Sequence, residues 1–491
     1  MADSPPAPPD DLRELARSMS LLMSEAHRLL PRSEALKDLV AAHLGTDPAE
    51  VEAVGRPVPV VERPNLQLAF DSVIAEQPAG RVIGLSPELA HYGGFSLSAL
   101  LSGRFPGPSD PVPPVYDDVA IDVDTTLRCV TAGLWLVEHG DQPVVIALAP
   151  GERHGPSMAQ DGRLEVFSPL VDTSNAVLDE LDKRRHQFNV YRGKMLAFTF
   201  SEYGEFGITF MPRPSVTADE VVLPPEDLAS IERHAIGMAE RADELRSANR
   251  ELKRGLLLYG PPGSGKTHTV AYLAAAMPER TVVVLQGPSV GALGQAAAIV
   301  RSLSPAMLVI EDVDLIATTR GMPGMDTNPL LFQLLNEMDG LTPTDDVLFV
   351  LTTNRLDIVE PALAARPGRI DHALEIDLPD AVGRWRLLDL YLRDCPHEID
   401  DPAPIIERID GVTASFVKEL VRRALLLALD DDATAVADRH LRAAADELLD
   451  SARAVTRTIL GAGSADDRAP MMPGRPMMPP GLAPGFETED H

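Results

Sequence analysis

Apolar residues near the start of the chain recur at helical spacing. Leu12, Leu15, Ala16, Met19, Leu22, Met23, Ala26, Leu29 and Leu30 follow the i, i+3, i+4, i+7 rule, which predicts an amphipathic helix stopped by Pro31. A shorter helix is expected from Ser33 to Leu44, with Gly45 as its stop. Between about 60 and 215 strand signals take over. Leu134 to Val137 and Val144 to Leu148 flank the turn residues Gly140-Asp141, and Met195 to Phe200 and Phe206 to Met211 flank Tyr203-Gly204, so two hairpins are predicted. From about 216 the pattern changes again. Short, wholly apolar runs (Leu256 to Leu258, Met307 to Ile310, Val347 to Leu351) predict short buried strands, set among helical stretches.

Length and composition limit what such a chain can be. At 491 residues it exceeds one ordinary domain. Three blocks and a tail are expected: a helical 1–59, a strand-rich α+β 60–215, a third block over about 216–460, and a Pro/Met-rich tail over 461–491 without regular structure. The net charge of -30 argues against a nucleic-acid partner, because phosphate contacts need Lys and Arg. No apolar run reaches the ~18 residues of a membrane span. Two cysteines, Cys129 and Cys395, make no disulfide framework, and no signal peptide is read at the start, so a cytoplasmic protein is expected. Basic residues are 38 Arg and only six Lys, so each lysine is a rare choice.

One of those lysines sits where chemistry is expected. Arg254 to Tyr259 reads as a buried strand, and His268 to Ala276 as a helix. Between them lie Gly260, Pro261, Pro262, Gly263, Ser264, Gly265, Lys266 and Thr267, the G-x-x-x-x-G-K-[ST] pattern in its strand–loop–helix setting. The glycines let backbone N–H groups turn toward phosphates, and the helix N-terminus favours negative charge. Lys266 is expected to reach the β- and γ-phosphates of a nucleotide, and the Thr267 hydroxyl to bind Mg²⁺. The run Met307 to Ile310 ends in Glu311-Asp312, two carboxylates at a strand's C-terminal end, where open α/β sheets bind ligands. One suits the Mg²⁺ shell and the other suits an attacking water. The strand from Val347 ends near Asn354, an amide able to hydrogen-bond that water or the γ-phosphate. Arg366 and Arg369, three apart on a turn, suit a bidentate grip on phosphate.

With Leu334 to Leu341 (LLNEMDGL), these motifs in this order resemble the AAA family within the AAA+ superfamily of P-loop NTPases, over about 216–460. The resemblance implies a five-stranded parallel α/β P-loop domain with a small helical lid, and a homo-hexamer ring with ATP between subunits. It places the Walker A loop at Gly260 to Thr267, beside His268. Glu311 takes the place of the Mg²⁺-associated Asp of Walker B, Asp312 that of its catalytic Glu, and Asn354 that of the sensor. Arg366 and Arg369 fall on arginine fingers, Met338-Asp339-Gly340 on the inter-subunit signalling segment, and Ala414-Ser415 where the lid touches nucleotide. Thr267, Glu311 and Asp312 are thus the expected Mg²⁺ residues. The acidic pair departs from the family, being Glu-Asp where most members have Asp-Glu. In the loop after the second strand, Leu293 falls near an aromatic that grips unfolded chains in threading members; leucine can still be an apolar grip, but the change argues against hand-over-hand threading and for moving or remodelling a folded client. No H-E-x-x-H occurs, which excludes an attached zinc protease of that type. The implied function is ATP hydrolysis coupled to chaperone-like remodelling of a protein client. The alternative is an ATP-gated scaffold or assembly factor with little turnover.

Overall fold

A computed structural model of the chain describes residues 35–77, 79–85, 110–149, 162–200, 206–314, 329–342, 344–357, 359 and 369–459. The helix expected over 12–30, Arg366 and the tail over 461–491 lie outside them. The described residues divide into two compact units, the first ending at Leu378 and the second beginning at Pro379. No helix among them is long and apolar enough to cross a membrane.

In the first unit, α1 (Ala35–Leu44) buries Leu36, Val40 and Leu44 and stops before Gly45, whose φ of 70° is left-handed. It covers one face of an antiparallel sheet. That sheet has the order β1 (Ala53–Val58), β7 (Gly162–Phe167), β6 (Gln142–Ala149), β5 (Gly133–His139) and β2 (Arg81–Gly84). Helices α2 (Arg63–Ala75) and α3 (Val171–Gln187) cover the other face, where Phe70 packs on Trp135 with ring centroids 3.9 Å apart. With both faces covered, β5 and β6 are apolar without alternation, as the runs at Leu134 and Val144 read. Strands β3 (Tyr116–Asp122) and β4 (Thr125–Val130) form a separate ribbon.

The second predicted hairpin forms, but it does not stay with this sheet. β8 (Met195–Phe200) and β9 (Phe206–Met211) join a seven-stranded sheet of order β14-β10-β13-β12-β11-β8-β9. Its other members are β10 (Arg254–Tyr259), β11 (Thr281–Leu285), β12 (Ala306–Ile310), β13 (Val347–Thr353) and β14 (His372–Glu375), all parallel, with β8 parallel to β11. The five expected strands are therefore extended to seven. The physical reason is the edge of β11, which is buried at every residue: without β8 its amides would face outward unpaired. Arg213, just past β9, fixes the join. Its guanidinium donates to the carbonyls of Gly193 (3.1 Å), Arg280 (2.7 Å) and Met277 (3.4 Å), and also to that of Ala274.

Around this sheet run α4 (Pro225–Glu232), α5 (Lys266–Ala276), α6 (Leu293–Ser302) and α7 (Pro329–Asp339). The second unit is helical: α8 (Ala381–Leu392), α9 (Ala403–Arg408), α10 (Ala414–Asp430) and α11 (Asp438–Ile459). Asp380 caps α8 by accepting from Gly383 N at 2.7 Å, and Thr413 caps α10.

Candidate nucleotide site

The site is built where β10, β12 and β13 end side by side. β10 runs into the loop 260–265, and α5 starts at Lys266. Three loop glycines take positive φ: Gly260 (144°), Gly263 (76°) and Gly265 (118°). At Gly260 a side chain is excluded twice over, because a Cβ would lie 2.1 Å from the Ile376 carbonyl oxygen. At Gly265 a Cβ would meet nothing within 4 Å, so the loop stands open beside the helix N-terminus. Lys266 is buried, and its Nζ donates to the carbonyls of Gly260 and Pro261, both at 2.9 Å. Burial lowers its pKa, against the opposing charges of Asp312 and Asp314. Pro262 and Thr267 are exposed, and the buried Ser264 hydroxyl has no partner. His268 turns away, its Nε2 3.1 Å from the Glu220 carbonyl.

Across the loop, Asp312 is one of three non-glycine residues with positive φ among the described residues, at 50°. Its amide donates to Thr352 Oγ1 (3.1 Å), and its carboxylate accepts from Asn354 Nδ2 (3.1 Å). Left-handed backbone suits Asp better than Glu. This gives the Glu-Asp order a local cause: the second acid is the one in the left-handed position. Glu311 precedes it, half-buried, its amide on the Leu285 carbonyl at 3.0 Å. Asp314, a third acid two residues past Asp312, takes part as well. Its buried carboxylate accepts from Thr353 Oγ1 (2.7 Å) and from Asn354 N (3.1 Å), so it fixes the end of β13 that presents Asn354. The signal available in the sequence was a third acid two residues after the pair.

These residues match a known pattern. A family model described as "ATPase family associated with various cellular activities (AAA)" matches residues 256–378. A proteasome-activating nucleotidase of Pyrococcus abyssi is 31% identical over 268 residues, 52% of this chain and 67% of that protein. The chain belongs to the AAA family of ATPases. A proteasome-activating nucleotidase of Pyrococcus horikoshii is also 31% identical, over 52% of this chain and 66% of its own length. Protein CdcH of Halobacterium salinarum is 30% identical over 48% of this chain and 33% of its own. The chain thus spans from a third to two thirds of the length of these relatives.

Within the first unit, not every AAA position read from the sequence gathers at the loop. Arg369 lies at the far end of β10, where a Cβ on Gly255 would be 2.2 Å from the Arg369 carbonyl oxygen. Five residues of strand put it roughly 16 Å from Gly260. Its guanidinium grips both carboxylate oxygens of Asp339, with Nε at 2.6 Å. Ala414 and Ser415 open α10 in the second unit. Leu293, read as near the pore aromatic and still able to serve as an apolar grip, is 1% exposed. It begins α6 and packs with Leu285, Val290 and Ala296, because the preceding residues Gly287–Ala292 coil into a 3₁₀ turn. Periodicity could not separate a loop leucine from the first core position of a helix.

The residues present fit ATP and a divalent cation. The open cradle at Gly265, the unpartnered Ser264 hydroxyl and the Lys266 amine suit phosphate. Two carboxylates and the Thr267 hydroxyl are the hard oxygen donors that Mg²⁺ takes.

Proposed function

We propose that this chain hydrolyses ATP and uses the cycle to remodel a protein client. The observation that carries the reading is the meeting of Lys266, at the start of α5, with Asp312 and Asn354, just past the ends of β12 and β13, with the left-handed Asp312 bonded through its amide to Thr352 and through its carboxylate to Asn354. In this reading Gly260 to Thr267 bind the phosphates, and Lys266 offsets charge on the β- and γ-groups. Asp312 takes the proton of the attacking water while the Asn354 amide orients that water. Glu311, Asp312 and Thr267 would hold Mg²⁺, which neutralises charge developing on the transferred phosphoryl group. The AAA resemblance assigns Ala414 and Ser415, which open α10, to nucleotide as well.

The remoteness of Arg369 from its own loop supports a task in trans. It and Arg366 would serve a neighbouring subunit's nucleotide in a hexameric ring, with Asp339 linking the finger to α7. Residues 1–59 and 60–215 would recruit the client, apart from β8 and β9, which join the motor's sheet, and 216–380 and 381–460 would form motor and lid. The names of the nucleotidase relatives tie nucleotide turnover to a proteasome, which supports a protein client. Burial of Leu293 favours acting on a folded client over hand-over-hand threading. The same burial is what favours the second reading, an ATP-gated scaffold with little turnover.

The test is an Asp312→Asn variant. Turnover is expected to fall by about 10²-fold or more with ATP still bound. Client retained on the ATP-loaded variant and released from wild type supports remodelling. Equal retention on both, with no wild-type turnover, supports the scaffold.

A further inference from the structure

The second unit carries an apolar groove that its own core leaves unfilled. A cavity of about 560 Å³ lies along α8 and α9, lined by Trp385, Pro402, Ala403 and Ile406 together with Arg384, Glu407 and Asp410. Trp385 is 45% exposed, and Val382, on the same helix, is 64% exposed. The Asp410 carboxylate pairs with Arg384 at 2.8 Å, so two carboxylates against one guanidinium leave the groove acidic.

A segment of this chain has the matching chemistry. Residues 469–481 read Ala-Pro-Met471-Met472-Pro-Gly-Arg475-Pro-Met477-Met478-Pro-Pro-Gly. Prolines favour the extended polyproline conformation that docks on aromatic-lined grooves, and Met side chains adapt to irregular apolar surfaces. Arg475 is the only charged residue between Arg468 and Glu487. The reach is also right. Arg408, next to Glu407, is ion-paired with Asp446 on α11, with Nε at 2.6 Å. From Asp446 to the last described residue, Ile459, the helix rises roughly 20 Å. A Gly/Ser-type linker of eleven residues, the number from 460 to 470, has an end-to-end distance of about 18 Å. A tether whose mean length matches its span gives the highest effective concentration.

We infer that residues 469–481 dock in this groove of their own chain, prolines on the Trp385 ring and Arg475 against Glu407. Acrylamide quenching of tryptophan fluorescence tests it on the full chain. The only other tryptophan, Trp135, is 1% exposed, so quenching reads Trp385. Removing residues 461–491 is expected to raise the quenching constant several-fold and shift emission to the red. A synthetic peptide of residues 469–481 should restore protection, and the same peptide with Arg475→Glu should not. Replacing Met471, Met472, Met477 and Met478 by Ser in the full chain should expose Trp385 as truncation does. Equal quenching with and without the tail overturns the inference. Protection that follows subunit concentration and ATP, and ignores the tail, also overturns it and assigns the groove to another copy of the chain.

Discussion

Asp312 and Asp314 sit two residues apart and do different work. Asp312 faces the phosphate loop with a carboxylate steered by Asn354, while Asp314 is buried and holds the backbone that carries Asn354. Removing the second should therefore loosen the first. Asp314→Ala is expected to lower kcat by about 10²-fold, the scale of losing one preorganised donor. ATP affinity, measured with a fluorescent nucleotide, should stay within a few-fold. A variant that loses affinity and keeps kcat would show that Asp314 serves the phosphate loop instead. Lys266, the acidic pair and Asn354 were legible in the sequence, because each is a residue type that phosphate chemistry demands at the end of a recognisable strand. Asp314 was not, since nothing in a motif says which of three acids faces inward to receive Thr353 and the Asn354 amide.

Elements meet in ways that periodicity does not encode. Both predicted hairpins exist, yet one closes on its neighbours in the N-terminal sheet and the other covers the edge of β11. The two hairpins look alike in sequence, and the difference lies in which sheet has an edge to cover. Opposite the nucleotide end, the strands are tied by a buried carboxylate. Asp346 pairs with Arg254 (2.9 Å) and with Arg280, and its amide donates to Ser304 Oγ (3.1 Å). It thereby joins residues at the start of β10, β11, β12 and β13. Asp346→Ala would leave two guanidinium groups buried without their partner, at a cost of about 3–5 kcal/mol. Urea unfolding followed by circular dichroism measures it, and a loss under about 1 kcal/mol, the scale of an exposed pair, would show that water reaches the cluster.

For the whole molecule, the charge of -30 makes the few cations assigned to phosphate conspicuous: in the proposed ring Lys266 would come from one subunit, Arg366 and Arg369 from another. This division of labour has a direct consequence. Arg366→Ala should bind ATP and fail to hydrolyse it, and Lys266→Ala should fail to bind it. Mixing the two inactive variants should restore part of the turnover, because one supplies an intact loop and the other an intact finger. No recovery, together with a monomer in light scattering with ATP, would contradict the ring. The most direct test of the account is phosphate release from ATP by the full chain. Steady turnover in wild type with loss of at least about 100-fold in Lys266→Ala is the predicted result. A wild-type chain that binds ATP through Lys266 and releases no phosphate would contradict it.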